Sequence, residues 1–394
     1  MSEIEAITLP TARPNPFDPP DGLAELRATA PITRLAYPDG HLGWLVTSHA
    51  LVREVLADRR FSARSELRHV PIESTSPGRP SPPGMFIGMD PPEQTRYRHL
   101  LTGEFTVRRM RLLAERIEEI TEHQLDLMER QGPPADLVEA FAAPVPAVVI
   151  CELLGVPGGE RAGFIAEAAA LGRPDATQEQ KISTFLTMQA RMRDLVVAKR
   201  AEPTDDMLSG LTRSDLTDEE LANIGFMLLG AGLDTTANML ALGTFALLRH
   251  PGQLAVLRDE PGRVDQVVEE LLRYLTIIPF LVRTALEDVE LGGELVRAGE
   301  TVTISTPAAN RDPDRFPDVL DLRRDTGGHV GFGHGVHQCL GQQLARVEMR
   351  AGYPALFRRF PSLRPAVEPE QVPLRTDMLI YGVHSLPVTW DAQR

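Results

Sequence analysis

Cys339 directly follows the glycine-rich segment GFGHGVHQ, residues 331–338. It lies three residues before QQLARVEMRAG, which has helical spacing. A cysteine at the start of a helix lies close to free backbone amides and to the positive end of the helix dipole, which lower the pKa of its thiol. Glycines such as Gly333 allow unusual backbone angles and let a flat ligand approach the main chain. The segment therefore predicts a thiolate metal ligand at Cys339.

Other interpretations compete with this one. Zinc could bind His334, His337 and Cys339, although one short segment rarely supplies a complete tetrahedral set. The glycines could also form a structural turn around an inert cysteine. A dinucleotide-binding fingerprint is excluded, because Val336 stands where a glycine is required. The second cysteine, Cys151 in AVVICELLGVP, matches no motif and is expected to be a buried core thiol.

A second segment that could do chemistry is GAGLDTT, residues 230–236, inside an apolar stretch with helical spacing. Its two glycines and its β-branched residues weaken a helix locally. Thr235 lies one turn after Ala231, so its hydroxyl can bond the Ala231 carbonyl and leave room for a water. The segment predicts a local opening of the helix beside Asp234. The alternative is an ordinary kink that leaves Asp234 in solvent.

The elements around these segments are mostly helical. An arm rich in proline, residues 1–21, is expected to lie extended on the body of the protein. A hairpin closed by PDG at 38–40 and strands near 289–305 and at the chain end add small sheets. The proline-rich stretch 70–92 carries an apolar tip at 85–87, and we expect a lid there, with disorder as the alternative. The fold class is thus mainly α with small β-sheets.

Composition excludes several classes of protein. The 394 residues include 55 acidic and 41 basic side chains, a net charge of −14, which argues against generic binding to nucleic acid or to anionic membranes. The N-terminus lacks the pattern of a secretory signal, and the longest apolar run, 224–233, is too short to span a bilayer. Two cysteines make a disulfide framework implausible. We therefore expect a cytoplasmic protein.

The cysteine segment resembles the haem-ligand signature of the cytochrome P450 family, Phe-Gly-x-Gly-x-His-x-Cys-Leu-Gly, at every defining position. The resemblance implies that Cys339 is the axial ligand of haem b, that Phe332 packs against the haem, and that His337 bonds a propionate. The segment AGLDT resembles the family's central helix, which implies that Thr235 and Asp234 relay protons to dioxygen. It also implies one domain over 1–394, a triangular helical prism with haem between the central helix and the cysteine-loop helix.

Further positions match the family. Arg98 and Arg283 stand where the family places propionate-binding arginines, whereas Gln94 stands where many members have histidine, so that contact is weakened or lost. Glu270 and Arg273, at i and i+3, resemble the family's buried structural pair. That pair normally recruits a third arginine, for which the candidates here are Arg315, Arg323 and Arg324.

The resemblance also implies a function. It predicts a haem-thiolate monooxygenase that inserts one atom of dioxygen into a hydrophobic small molecule, with electrons from a separate ferredoxin and ferredoxin reductase and NAD(P)H as the ultimate donor. The basic cluster Arg108, Arg109 and Arg111 is a candidate docking site for an acidic ferredoxin. The alternative is a haem-thiolate sensor or electron carrier without oxygenase activity, and the Asp-Thr pair argues against it. The residues expected to line an apolar substrate pocket are Met85, Phe86, Ile87, Leu229, Ala231, Ile278, Phe280 and Ile380.

Overall fold

Helices form most of the chain in the computed structural model, which describes residues 6–72, 78–105, 107–171, 176–376 and 378–391. The described helices are α1 Leu23–Thr29, α2 His49–Ala57, α3 Glu93–Thr102, α4 Val107–Gln131, α5 Pro144–Leu153, α6 Arg161–Leu171, α7 Gln178–Ala201, α8 Met207–Leu211, α9 Asp218–Arg249, α10 Pro251–Asp259, α11 Val264–Leu275, α12 Thr306–Asn310 and α13 Gln342–Arg359.

Short strands complete the fold. They are β1 Ile32–Ala36, β2 Leu42–Val46, β3 Phe61–Ser62, β4 Ala135–Asp136, β5 Leu281–Ala285, β6 Val289–Leu291, β7 Glu294–Val296, β8 Thr301–Ile304, β9 Arg364–Pro365 and β10 Pro387–Thr389. The largest sheet has the order β1-β2-β8-β5-β3, a second has β4-β10-β9, and β6 pairs with β7. The prediction of a mainly helical protein with small sheets is confirmed.

The central helix α9 crosses the whole molecule. Its first turn is held by a capping box, in which the Thr217 hydroxyl accepts from the Glu220 amide and the Glu220 carboxylate accepts from the Thr217 amide. Within the described residues, α9 is the one helix long and apolar enough to pass a test for a membrane span, and most of that apolar window is buried inside the protein. It is therefore the core helix of this fold.

Two hydrophobic cores meet on α9. Residues 221–229 of the helix pack into one core with α7 and the apolar tip at Phe86, whereas residues 239–247 pack into the other with α13. The second crossing is close, because a Cβ on Gly243 would lie 2.1 Å from Tyr353 Oη. Between the two cores, Gly230 and Ala231 are exposed. The middle of the core helix therefore faces open space.

The proline-rich arm is fixed to the body. Phe17 is buried in the core around α13, with its ring 5.0 Å from that of Phe245 in an edge-to-face arrangement. Arg311 donates to the Phe17 carbonyl at 2.8 Å, and Tyr381 donates to the Pro16 carbonyl at 2.8 Å. The described part of the arm is therefore ordered by packing as well as by its prolines.

The lid expected at 70–92 is partly outside the described residues, which omit 73–77. Its tip forms a single 3₁₀ turn, Phe86–Gly88. Phe86 is buried and stacks near Tyr97, with 6.5 Å between ring centroids, whereas Ile87 is exposed. The described part of the lid is thus packed onto the core beside α9 and α3.

Candidate active site

The loop before α13 is closed on itself at Cys339. The Cys339 amide donates to the Phe332 carbonyl at 2.9 Å, which brings the two ends of the glycine-rich segment together. Gly333 and Gly335 have φ angles of 70° and 73°, in the left-handed region where glycine is favoured. A Cβ on Gly335 would also lie 2.2 Å from the Leu56 carbonyl oxygen of α2. The glycines thus permit both the shape of the loop and its contact with α2.

The thiol of Cys339 differs from the sequence-based expectation. Burial raises its pKa, although the backbone amides of Gly341 and Gln342 and the guanidinium groups of Arg98 and Arg346 act in the opposite direction. The helix N-terminus is present as predicted, but its lowering of the thiol pKa is smaller than the increase caused by desolvation. In this setting the thiolate needs a bound metal cation, because coordination to a metal deprotonates a thiol outright.

One side of Cys339 is accessible although protein surrounds the rest of the residue. Leu340, its neighbour, and Leu233 of α9 pack against the same hydrophobic core. The exposed positions Gly230 and Ala231 lie one turn or less before Leu233 in α9. The cysteine loop and the accessible middle of α9 therefore lie beside the same hydrophobic core.

Two arginines beside the loop lack an anionic partner. Arg283 on β5 is buried, and burial together with nearby Arg68 lowers its pKa to about 10. The guanidinium donates to the Val282 carbonyl at 2.8 Å, and Arg98 on α3 donates to the Gln338 carbonyl at 2.5 Å. The ion pairs of the described chain involve neither arginine. Arg283 is buried and Arg98 is partly buried, and the one carboxylate that acts on the pKa of Arg283, that of Asp90, forms no ion pair with it. Such cations fit the propionates of a haem, which would neutralise them.

His337 lies close to both of these arginines. Burial, followed by the charges of Arg283 and Arg98, lowers the pKa of His337 to about 4 against the opposing influence of Asp90. The imidazole is therefore neutral at physiological pH. A neutral imidazole still has one N–H, which can donate to a carboxylate.

Gln94 contacts the cysteine loop. Its amide nitrogen donates to the Val336 carbonyl at 2.7 Å, and its oxygen accepts from the Thr95 hydroxyl at 3.2 Å. The residue is buried on α3. Gln94 thus attaches α3 to the loop, a contact that the sequence did not suggest.

Phe332 is supported from the side of α13. The Arg346 guanidinium lies over its ring, 4.6 Å from the centroid, and donates to Glu269 through Nη2 at 3.0 Å. His329 also bonds Glu269, at 3.0 Å. These bonds outweigh the effect of burial and lower the pKa of Glu269 to about 2. Sequence reasoning missed this network, because its residues are far apart in the chain and match no motif.

The opening predicted in α9 has one of its expected contacts. The Thr235 hydroxyl donates to the Ala231 carbonyl at 2.8 Å, within a helix that is continuous from Asp218 to Arg249. Asp234 is bound by protein groups, in contrast to the alternative of a carboxylate left in solvent. Arg375 donates to its two oxygens at 2.6 and 3.2 Å, and Asn238 donates to Oδ1 at 3.0 Å. Nothing in the sequence indicated Arg375 as a partner.

Glu270 and Arg273 of α11 form a completely buried ion pair. Arg273 also donates to the carbonyls of Asn310 and Val319, at 2.8 and 2.9 Å. The third arginine, which the sequence left open among three candidates, is Arg324, whose Nη1 lies 3.2 Å from Glu270. Arg315 and Arg323 have other partners: the Gly327 carbonyl and Glu260.

The residues expected to line a pocket fall into two groups. Met85, Ile278, Phe280 and Ile380 are partly accessible, and Ala231 and Ile87 are exposed. Leu229 and Phe86, in contrast, are buried in the core beside α9 at 0% and 3% exposure. Both side chains pack into the protein interior, and their place in the lining of a substrate pocket stays a prediction.

The alternative of a zinc site lacks ligands. The part of the chain that the structure describes contains no group of three or more His, Cys, Asp or Glu side chains arranged to hold a metal ion. An accessible cysteine and two arginines without ion pairs, together with a core helix whose middle is exposed, instead match the requirements of a porphyrin with one protein ligand to its iron. This combination defines the class of haem-thiolate oxygenases.

Comparisons with known proteins agree with this class. The family model for "Cytochrome P450" matches residues 175–385. Cytochrome P450 105C1 from a Streptomyces species is 47% identical, with 99% of this chain and 100% of the relative aligned, and the Vitamin D3 dihydroxylase of Streptomyces griseolus is 41% identical, with 98% and 97% aligned. The crystal structure of CYP105P1 in complex with filipin I has a TM-score of 0.93 and 43% identity, with 99% and 100% covered. The chain belongs to the cytochrome P450 family and has its fold. It is a haem-dependent monooxygenase.

Proposed function

We propose that Cys339 is the protein ligand of the haem iron and that Arg98, Arg283 and His337 hold the propionates. The observation that carries this assignment is that the buried Arg283 and the partly buried Arg98 form no ion pair within the described residues and lie beside an accessible thiol. Phe332 and Gly333 form the surface of the loop on which the porphyrin lies. Gln94 contributes by fixing the loop to α3.

The haem, when bound, supplies the activation of dioxygen and the transfer of one oxygen atom to substrate. The chain supplies protons and exclusion of bulk water. Because the Thr235 hydroxyl already donates to Ala231, its lone pairs can accept from a water beside the exposed middle of α9. Asp234, which directly precedes Thr235 in the helix, can exchange a proton with that water. Thr235 is thus the proton-handling group that faces the space beside Cys339, and Asp234 connects it toward the protein surface.

We propose a bulky hydrophobic molecule as substrate. The accessible lining residues are apolar, so the pocket selects by shape and burial more than by charge. The relatives fit this class by their names, which mention vitamin D3 and filipin I. Hydroxylation or epoxidation of such a molecule is the expected reaction.

Electrons are proposed to come from an acidic ferredoxin, its reductase and NAD(P)H. Arg108, Arg109 and Arg111 remain the predicted docking cluster. Their side chains lie outside the described residues. We also propose that the chain is a single domain over 1–394, since α9 contributes to both cores, and that it works in the cytoplasm without binding nucleic acid or membrane.

A spin-state titration tests the substrate class. Vitamin D3, filipin I and a set of polar compounds of similar mass are added to the haem-loaded protein, and the absorption change of the iron is recorded. Hydrophobic compounds should give saturable changes, and Phe280→Ala should weaken the best of them roughly tenfold. Leu295→Ala, at an exposed position on β7, is the matched control. Saturation by polar compounds alone would contradict the proposed substrate class.

A further inference from the structure

The contact between Asp234 and Arg375 joins the central helix to the segment between Leu374 and Val383, which we call the C-terminal hairpin. Arg375 lies next to an isolated bridge between Leu374 and Val383, and its amide donates to the Gly382 carbonyl at 2.9 Å. Its guanidinium reaches the Asp234 carboxylate with two N–H groups, at 2.6 and 3.2 Å. The side chain of Arg375 is 12% exposed and that of Asp234 is 37% exposed, so the arginine end of this ion pair is shielded from solvent and the carboxylate is partly accessible.

The two elements also approach closely beside the ion pair. A Cβ on Gly382 would lie 1.9 Å from Asn238 Oδ1, so only a glycine fits between the hairpin and α9 at this point. Asn238 in turn donates to the Asp234 carboxylate at 3.0 Å and to the Asp234 carbonyl at 2.8 Å. Both carboxylate oxygens of Asp234 are therefore held by protein donors.

The hairpin also carries part of the expected pocket. Ile380 lies near its tip, and the Tyr381 amide donates to the Ile277 carbonyl at 2.8 Å, next to Ile278. The same short segment thus contacts a pocket wall on one side and the proton-handling acid on the other. Arg375 Nε is buried without a hydrogen-bond partner among the described residues. The guanidinium therefore binds Asp234 in a position that leaves one of its own donors unsatisfied, which is destabilising.

We infer that Arg375 is a positioning residue that fixes the Asp234 carboxylate and couples it to the C-terminal hairpin. This inference rests on the proposed role of Asp234 in proton delivery. Bound to Arg375, the carboxylate is directed toward the hairpin while the Thr235 hydroxyl is directed to Ala231. Loss of the guanidinium leaves Asn238 as the remaining side-chain donor, which frees one oxygen and loosens both elements.

The first measurement concerns the ion pair alone. Hydrogen exchange is followed by mass spectrometry in the haem-loaded protein for the peptides that cover 230–238 and 374–383. Arg375→Gln should speed exchange in the α9 peptide, and Asp234→Asn should speed it in the hairpin peptide, each by roughly tenfold. The double variant should exchange no faster than the single ones. Arg364→Gln, which removes a surface arginine paired with Asp391 at 3.0 Å, is the matched control.

The second measurement concerns proton delivery. NADPH oxidation by the enzyme with ferredoxin and reductase is compared in H₂O and D₂O. Asp234→Asn and Arg375→Gln should both raise the solvent isotope effect, by roughly 1.5-fold or more, whereas Arg375→Lys should lie nearer to wild type than the glutamine variant.

The outcomes separate the two claims. A changed isotope effect in Asp234→Asn but not in Arg375→Gln overturns the role of Arg375 and leaves the relay intact. An unchanged isotope effect in Asp234→Asn refutes the relay, and the exchange data then decide whether Arg375 couples the two elements. Equal exchange in Arg375→Gln, Arg364→Gln and wild type would overturn the coupling.

Discussion

Arg273 donates to both carboxylate oxygens of Glu270, each at 2.8 Å, at a position where neither side chain has any exposed surface. The Asp321 amide and Arg324 bond the same carboxylate. Since Arg273 also bonds carbonyls that lie before the cysteine loop in the chain, this pair connects α11 to the segment that leads into the haem-binding region. This connection fits the structural role that the family resemblance predicts for the pair.

Removal of one partner of the Glu270–Arg273 ion pair should strongly destabilise the fold. Glu270→Gln leaves Arg273 buried without a counter-charge and is expected to lower the free energy of unfolding by about 3 to 5 kcal/mol. Urea denaturation followed by circular dichroism measures the loss. Glu118→Gln, at an exposed position on α4, serves as control. A loss below about 1 kcal/mol would show that the pair contributes as little as a surface ion pair.

The ligand assignment predicts a spectral change. Cys339→Ser should abolish the carbon monoxide difference spectrum of a thiolate-ligated ferrous haem, because the sulfur donor is gone. Cys151→Ser should retain it, since Cys151 is buried in the core, where burial raises the pKa of its thiol to about 11. Persistence of the thiolate spectrum in Cys339→Ser would transfer the ligand role to another residue.

Replacement of Arg283 should stabilise the haem-free protein but weaken haem binding. Arg283→Met removes a buried, desolvated cation, so the haem-free protein should unfold at higher urea concentration. The haem-loaded variant loses a charge-assisted bond to propionate and should release haem roughly tenfold faster. Transfer of haem to apomyoglobin measures the rate, with Arg297→Gln on the exposed surface as control. Unchanged release would place the propionates elsewhere.

Thr235 should control how reductant is used. Thr235→Ala removes the hydroxyl that is proposed to accept from a water beside α9, so the product formed per NADPH should fall by roughly tenfold and hydrogen peroxide should rise. Thr235→Ser keeps the hydroxyl and should stay close to wild type. Product and peroxide are quantified with a substrate found by the spin-state titration. Equal coupling in the alanine and serine variants would contradict the relay.

Glu348 on α13 predicts a pH dependence of stability. Its Oε2 lacks a partner among the described side chains, and burial raises its pKa from 4.5 to about 8. Between these values the folded protein retains a proton that the unfolded chain loses, so this group lowers the free energy of unfolding as the pH rises. The slope approaches about 1.4 kcal/mol per pH unit.

Glu348→Gln lacks this titration. The variant should therefore be more stable than wild type at pH 8, and its stability advantage over wild type should be smaller at pH 5. Urea denaturation at several pH values measures the difference between the two proteins. A difference that does not grow with pH would mean that Glu348 is ionised in the folded state.

Local patterns predicted the elements that carry chemistry. The hairpin at 31–47, the helix after Ser48 and the loop before α13 follow from alternation, capping, glycine content and helical spacing. The local opening predicted at 230–236 lies in a helix that is continuous from Asp218 to Arg249. The Thr235 to Ala231 bond followed from one turn of helix geometry. Such features depend on residues near in sequence, which is why they are readable from the chain alone.

The remaining parts of the site depend on contacts across the fold. Arg375 meets Asp234 across 141 positions of sequence, and Arg346 meets Glu269 across 77. The effect of burial on the Cys339 thiol also depends on how much protein surrounds it. For the same reason the burial of Leu229 and Phe86 in the protein interior could not be predicted from the chain alone.

The arm that places Phe17 between Phe245 and His250 has a practical consequence for shortened forms of this enzyme. Deleting the residues before α1 would leave a hole the size of a benzyl group under the C-terminal end of α9 and would strip Arg311 of one of its acceptors. Purification tags are therefore better attached without removing the N-terminal arm. Recombinant versions that begin at Leu23 should unfold at lower temperature and retain less haem.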